Sequence, residues 1–353
     1  VPTNTLGCGR YTAQIWERGG SGLLFSKLPC NDGSWERVLD DTSQASVNLV
    51  GLGRSVACFE AIRDGEPMAY ELALARDDLI VWQGPLSAKQ SEGTKGGYSA
   101  RDLSTWWDRR ILPVDRIYVQ TDLATIFEQL ANDAMLEDPT PNISVSTTPV
   151  GVLGDRKYLA GQNLFAGQEM RSLAQTGIDF TTIVREIRAG GIVVPTEPIV
   201  LLQDRHLVGS PSVNVDGLSM ANRVRVVGAG GGDGADPIVG EARDEESIAK
   251  YGLSDEVIRD DSIRDVPSAT AAAVSRLALV RVPVPVLTSV NLDSSAPVDI
   301  DSLVPGALVG CAFSSSGIEV AGTFRIQKVG VSFKGAGESV TLTLQPPAAG
   351  GGS

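Results

Sequence analysis

Histidine is nearly absent from this 353-residue chain, and His206 is the only one. A Ser-His-Asp or Cys-His mechanism would have to use it, yet no GxSxG elbow accompanies it. Its surroundings, LLQDRHLVG, read as a strand carrying a surface or interface histidine. Cysteine is scarce and dispersed. Cys8, Cys30, Cys58 and Cys311 make no CxxC pair, which excludes the close thiolate spacing of a structural zinc site. Small buried thiols are expected, with a disulfide among the four as the alternative. HExxH and Walker A patterns are missing too. Aromatic residues make up 5% of the chain, too few for an obvious carbohydrate platform. No stretch approaches the ~18–20 apolar residues of a membrane span. The opening VPTNTLGCGR has neither the basic nor the apolar region of a signal peptide, so folding in a cytoplasm is expected.

Positive charge is the remaining deficit. Lys+Arg number 30 against 43 Asp+Glu, a net charge of -13. Such a chain lacks the clustered cations that grip a phosphate backbone, so specific nucleic-acid binding is not expected. The acids that are present include Asp40-Asp41, Asp77-Asp78, Asp260-Asp261, and Asp299 with Asp301. A glycosidase needs two carboxyls ~5–9.5 Å apart in space. Acids adjacent in sequence point different ways and suit turns, so solvated turn acids are the simpler reading. GAGGGDG (228–234) follows a strand but opens no helix, which makes it a loop and no dinucleotide site. No catalytic residue, metal ligand or cofactor is expected.

The 39 glycines and 19 prolines point to many turns and short strands. Alternation at Tyr11, Ala13 and Ile15, at Val47 and Leu49, and at Tyr70, Leu72 and Leu74 predicts strands over 10–101. Asp77-Asp78 separates YELALAR from LIVWQGPL as a two-residue hairpin turn. Such spacing suggests a barrel or sandwich closed by a short helix or turn at 101–112. Leu123, Ile126, Phe127, Leu130, Ala131 and Ala134 predict a helix over 121–136 with Thr121 as N-cap. A loop is expected to about 160, a helix at 168–177, and two strands around Gly190-Gly191. Strands resume from 201; 240–267 reads as charged and irregular, and 268–282 as a helix capped by Ser268. The β-rich ends around an α/β middle are compatible with two related barrels.

The order of ordinary segments is more specific than any motif. SWERVLDDTSQASV (34–47), CFEAI, YELALARDDLIVWQGPL (70–86) and SARDLSTWWDRRIL (99–112) are followed by ANRVRVVGAG (221–230) and EESIAKYGLSDEVIRDDSI (245–263). LVPGALVG (303–310) and FRIQKVGVSF…ESVTLTLQPP (324–347) complete the series. Over residues 10–347 this resembles the minor tail proteins, or tail-tip baseplate hubs, of long, non-contractile-tailed actinobacterial phages. The resemblance implies a mainly β fold with an α/β insertion: two β-barrel hub domains plus a lateral α/β domain. The boundaries become 1–113 for the first barrel, 114–200 for the lateral domain, and 201–285 for strands completing the barrels with a charged loop and helix. The second barrel takes 286–346, and 347–353 is a flexible tail.

The family implies a homotrimer whose two barrels per chain make a pseudo-sixfold ring at the tail tip of the virion. Its implied partners are the tail tube or distal tail protein, the tape measure protein and other minor tail or fibre proteins. DNA would pass through the lumen, and an acidic lining would keep it from sticking. Many hubs continue into fibres or lytic domains; this chain stops at Ser353, so those activities are expected in other tail proteins. Two other readings stay open. A glycan-binding adsorption module predicts a groove lined by Trp16, Trp35, Trp82 or Trp106-Trp107. A carboxylate hydrolase predicts paired acids facing one cleft.

Overall fold

The computed structural model describes residues 6–49, 55–93, 95–191, 198–215, 217–218, 220–230, 237–283, 285–315, 318–335 and 337–346. The tail at 347–353 and the end of the glycine-rich loop, 231–234, lie outside them. The fold is mainly β.

The first barrel is built from β1 (Tyr11–Glu17), β2 (Leu23–Val38), β3 (Gln44–Leu49), β4 (Tyr70–Arg76), β5 (Leu79–Glu92) and β6 (Lys95–Arg101), with α1 (Val56–Asp64) between β3 and β4. Its ring order is β1-β4-β5-β6-β3-β2, closed by β1 on β2. Asp77 and Asp78 both take positive φ (49° and 69°), the geometry a two-residue hairpin turn requires. Strand β2 is long enough to serve two rings. Its first half pairs β1, and after a register shift between Cys30 and Asp32 in its pairing with β3, its second half runs beside the other barrel.

The lateral unit follows, after a 3₁₀ segment at Leu103–Arg109. It contains β7 (Arg116–Asp122), α2 (Leu123–Asp133), β8 (Ser144–Thr148), β9 (Leu153–Tyr158), α3 (Ala166–Gln175), β10 (Asp179–Ile183) and β11 (Glu186–Gly190). Trp107, Phe127, Tyr158, Met170, Phe180 and Ile187 form its core. Asp122, not Thr121, caps α2 by accepting from the Ala124 N–H at 2.9 Å. The expected loop before 160 holds β8 and β9, whose largely polar residues carried little hydrophobic signal. The β10–β11 turn falls at Val184-Arg185 and not at Gly190-Gly191, because Gly190 is itself paired with Asp179.

Strands β12 (Leu201–Gln203) and β13 (Ser212–Val215) precede β14 (Arg223–Val227), β15 (Val239–Arg243), α4 (Glu245–Tyr251), β16 (Asp255–Arg259) and α5 (Val266–Val280). Only 201–215 joins a barrel. Residues 223–280 form a third unit, the sheet β15-β14-β16 under α5, with Val224, Val226, Ala269, Ala272 and Ala273 as its core. The expectation that the strands of 201–285, alongside a charged loop and helix, complete the barrels is corrected for 223–280: β14 alternates buried and exposed residues, and α5 covers its buried side. Asp265, not Ser268, caps α5, accepting from the Ser268 N–H at 2.8 Å. Helix α5 comes so close to β15 that a Cβ on Gly240 would lie 2.2 Å from Ala269 backbone.

The second barrel uses β17 (Pro285–Leu292), β18 (Leu308–Ser315), β19 (Ile318–Lys334) and β20 (Gly337–Gln345) in the order β18-β19-β20-β17. The bent segment 201–215 spans the remaining gap: β12 pairs β18, and β13 pairs β17. The two barrels share one core, which includes Ile15, Trp35, Leu72, Val331 and Leu342. A buried ion pair also ties them, Arg76 Nε to Glu338 Oε2 at 2.7 Å. The lateral unit is clasped to the first barrel where Asp40 and Phe180 exchange two 2.8 Å bonds: the Asp40 N–H donates to the Phe180 carbonyl, and the Phe180 N–H to Asp40 Oδ1. Buried Glu71 adds an ion pair with Arg185.

Candidate functional site

The singled-out acids do not meet as pairs. Asp40 sits in the clasp at φ 62°, its carboxyl pushed up to about 7 by burial and then by Asp179. Asp41 points to solvent and accepts from the Thr42 N–H. Asp77 and Asp78 make the hairpin turn, and Asp299 and Asp301 open a 3₁₀ turn. Asp260 is buried, holding the Ser262 N–H and hydroxyl, while Asp261 is exposed.

Asp260 instead shares a cleft with Glu169, far away in sequence. Both line a cleft of about 440 Å³ between α3 and the loop after β16, with Lys157, Arg171 and Arg259 around it. Burial, followed by the Asp260 charge, pushes the Glu169 carboxyl up to about 7. Glu169 was missed because its neighbours, GQEMRS, read as an ordinary helix start.

His206 is buried in a 3₁₀ turn between β12 and β13. The Gln203 N–H donates to its Nδ1 at 3.1 Å, and its carbonyl accepts from the Asp293 N–H at 2.8 Å. It holds the bend that lets 201–215 reach both β18 and β17. All four cysteines are free thiols, with Cys58 and Cys311 buried and Cys8 exposed. Burial pushes the Cys30 and Cys311 thiols up to about 12. Among the described residues no cluster of His, Cys, Asp and Glu could hold a metal ion.

The tryptophan groove is corrected. Trp35, Trp82, Trp106 and Trp107 are at most 6% exposed. Trp35 and Trp82 fill the barrel core, and Trp107 packs edge-on against Phe127. Trp106 lies under the guanidinium groups of Arg18 and Arg110. Trp16 is half-buried, its Nε1 donating to Gln14.

The feature that spans both barrels is a sheet face. From β5 the sheet runs through β6, β3, β2, β19, β20 and β17 to β13. Alternation buries Trp35, Ala45, Val47, Tyr98, Ala100, Val331, Val340 and Leu342 on one side. The residues between them are small and polar. Registered pairing sets Ser99, Ser46, Ser34, Ser332 and Ser339 side by side across β6, β3, β2, β19 and β20. Above this row Glu36, Gly330, Thr341 and Asn291 are neighbours; below it come Gly97, Asn48, Asp32, Lys334 and Gly337.

Several of these groups bond to one another. Ser34 and Ser46 hydroxyls lie 3.1 Å apart, Asn48 Nδ2 donates to Asp32 at 2.6 Å, and the Thr341 hydroxyl donates to Asn291 at 2.7 Å. Lys328 pairs with Glu36. Two shallow depressions of about 530 and 730 Å³ lie on this face. Each residue type was visible in sequence; their alignment into rows depends on register between strands up to about 300 positions apart.

No family model and no curated protein matches the sequence. Solved structures do. The tail protein from Neisseria meningitidis MC58 superposes with a TM-score of 0.67 at 13% identity, covering 95% of this chain and 96% of that one. The 43 kDa tail protein of prophage MuSo2 from Shewanella oneidensis gives 0.65 at 10% identity, covering 95% and 98%. The chain has a phage tail-protein fold. The Escherichia coli c3393 protein, a type VI secretion component similar to T4 tail proteins gp27 and gp5, gives 0.52 at 10% identity, covering 95% and 77%. At such identities the likeness is one of fold.

Proposed function

We propose that the chain is the structural hub of a phage tail tip. Three copies form a pseudo-sixfold ring that joins the tail tube or distal tail protein to the host-recognition apparatus, and the serine-rich face lines the DNA exit channel. The observation that carries this is an internal repeat. In the first barrel β4, β5, β6, β3 and β2 are neighbours in that order; in the second, β18, β19, β20, β17 and β13 follow the same order. The hairpins correspond, including a long middle strand in each. Two similar barrels side by side let three chains present six similar positions, and closed cyclic symmetry is the common solution for such oligomers.

Eight strands per chain make about 24 in a trimer. At ~4.8 Å spacing and ~40° tilt the sheet closes at roughly 50 Å across the backbone, ample for a duplex. The lining differs from the acidic one expected. Asp32, Glu36 and Glu92 are offset by Lys95, Arg101, Lys328 and Lys334 along the same face, so the excess negative charge lies elsewhere. Near-balanced charge among many hydroxyls gives passing DNA no strongly basic surface to grip. The assignment to actinobacterial long-tailed phages rests on the segment order alone. Imaging assembled tails by electron microscopy tests the reading: three copies around the tube axis are expected, and another copy number or an off-axis position refutes it.

A carboxylate hydrolase is the second reading, and the Glu169–Asp260 cleft is its foothold. We take the chain to be non-catalytic because the cations at that cleft and the Ser172 hydroxyl bond to Asp260 (3.2 Å) suit a structural joint.

A further inference from the structure

Among the described residues strand pairing makes one barrel-to-barrel junction, β2 on β19, and the repeat leaves both halves of a second such junction at strand edges. The β5–β6 hairpin ends on the pair Glu92 and Lys95, and the β19–β20 hairpin on Lys334 and Gly337. Aligning these ends puts Leu86–Glu92 where Lys328–Lys334 stands. That is the stretch of β19 that pairs β2. In β5 the pairing with β4 ends at Pro85, so residues 87–92 pair β6 alone, and all six are exposed.

The other half follows from β17. Asn291 faces Thr341 as Ser46 faces Ser99. Beyond Ser46 stands Ser34 of β2; beyond Asn291 stands Val208, whose N–H donates to the Asn291 carbonyl at 2.9 Å. Val208 thus takes the place of Ser34, and it is a 56% exposed apolar residue. From there the segment leads into β13, which pairs β17 and no other strand among the described residues.

We propose that the β5 edge at Ser87–Glu92 of one copy pairs antiparallel with the edge running from Val208 into β13 of the next. Gln90 then faces Val208 as Ser332 faces Ser34 within a single chain. The occupant is a second copy because the chain already makes the equivalent contact internally, with the same strand order on both sides. The contact is heterologous and closes by rotation, as a ring requires. This inference rests on the hub reading and adds the residues that close the ring.

The test is disulfide trapping in assembled particles, in a Cys8→Ser background. Ser34→Cys with Ser332→Cys is the control and links within one chain. Gln90→Cys with Val208→Cys is expected to link between chains, giving a non-reducing ladder that stops at three. Particles carrying a mixture of the two single variants should stop at two. A three-copy ring in which the control links and Gln90–Val208 does not overturns the edge pairing and leaves the hub reading intact. A copy number other than three, or absence from the particles, overturns both.

Discussion

Replacing Glu338 is the sharpest probe of how the two barrels are held together. Its carboxylate is fully buried and accepts from Arg76 Nε at 2.7 Å, Arg76 Nη2 at 3.1 Å, the Tyr11 hydroxyl at 2.6 Å and the Gly7 N–H at 3.1 Å. Arg76 belongs to β4 and Glu338 to β20, so the cluster spans the barrel junction. Tyr11 is itself stacked on Phe333, with ring centroids 4.1 Å apart. Glu338→Leu takes the carboxylate away from the Arg76 guanidinium, which is 2% exposed. Breaking a buried pair from one side costs about 3–5 kcal/mol. Asp77, 3.5 Å from Arg76 but half open to solvent, recovers little of this.

A chain of several units does not unfold in one step, so the readout must be local. Amide exchange in Leu72–Arg76 and Val340–Leu344 should accelerate about 10²- to 5 × 10³-fold in Glu338→Leu, the equivalent of that energy. Arg76→Met combined with Glu338→Leu removes both charges and should recover most of the protection, because an apolar pair of similar volume is tolerated there. Single and double variants with equal exchange, or a single variant within threefold of the parent, would refute the reasoning.

Other outcomes follow from the joints. The Glu169 carboxyl is raised from 4.5 to about 7, so its protonated form stabilises the cleft; that contribution is complete below pH 4.5 and lost as pH rises through about 7. Protection of 260–263, corrected for intrinsic exchange, should therefore fall between pH 5 and pH 8 by up to about 3 kcal/mol, and Glu169→Gln should flatten the profile. An unchanged slope in that variant counts against the burial argument. On host peptidoglycan the full chain should give no zymogram clearing; clearing abolished by Glu169→Gln with Asp260→Asn, with the fold intact, would establish a hydrolase. His206→Ala, or neutralising Asp40 and Asp41, should alter assembly at most. Gly240→Ala forces α5 off β15 and should expose 266–280 to limited proteolysis while the barrels stay protected; equal resistance to the parent would show that the helix can shift at no cost.

Short-range chemistry was legible from sequence. The alternation in Tyr11–Glu17 and Tyr70–Arg76, the Asp77-Asp78 turn, and the apolar face of Leu123–Asp133 all follow from periods of 2.0 and 3.6 residues. Caps were misplaced by one residue at Thr121 and three at Ser268, since Asp122 and Asp265 are equally suitable cap residues and only backbone geometry decides where the helix starts. Strands such as Ser144–Thr148 and Asp255–Arg259 were invisible because one polar face dominates their composition and their partners are distant. The same holds for function. The lack of a second histidine or of a metal motif needed no structure. That Glu169 and Asp260 line one cleft, that five serines form one row, and that 201–215 closes a barrel begun at 285 depend on tertiary packing, register and ring closure. Those are set by pairing between residues hundreds of positions apart, which no local pattern encodes.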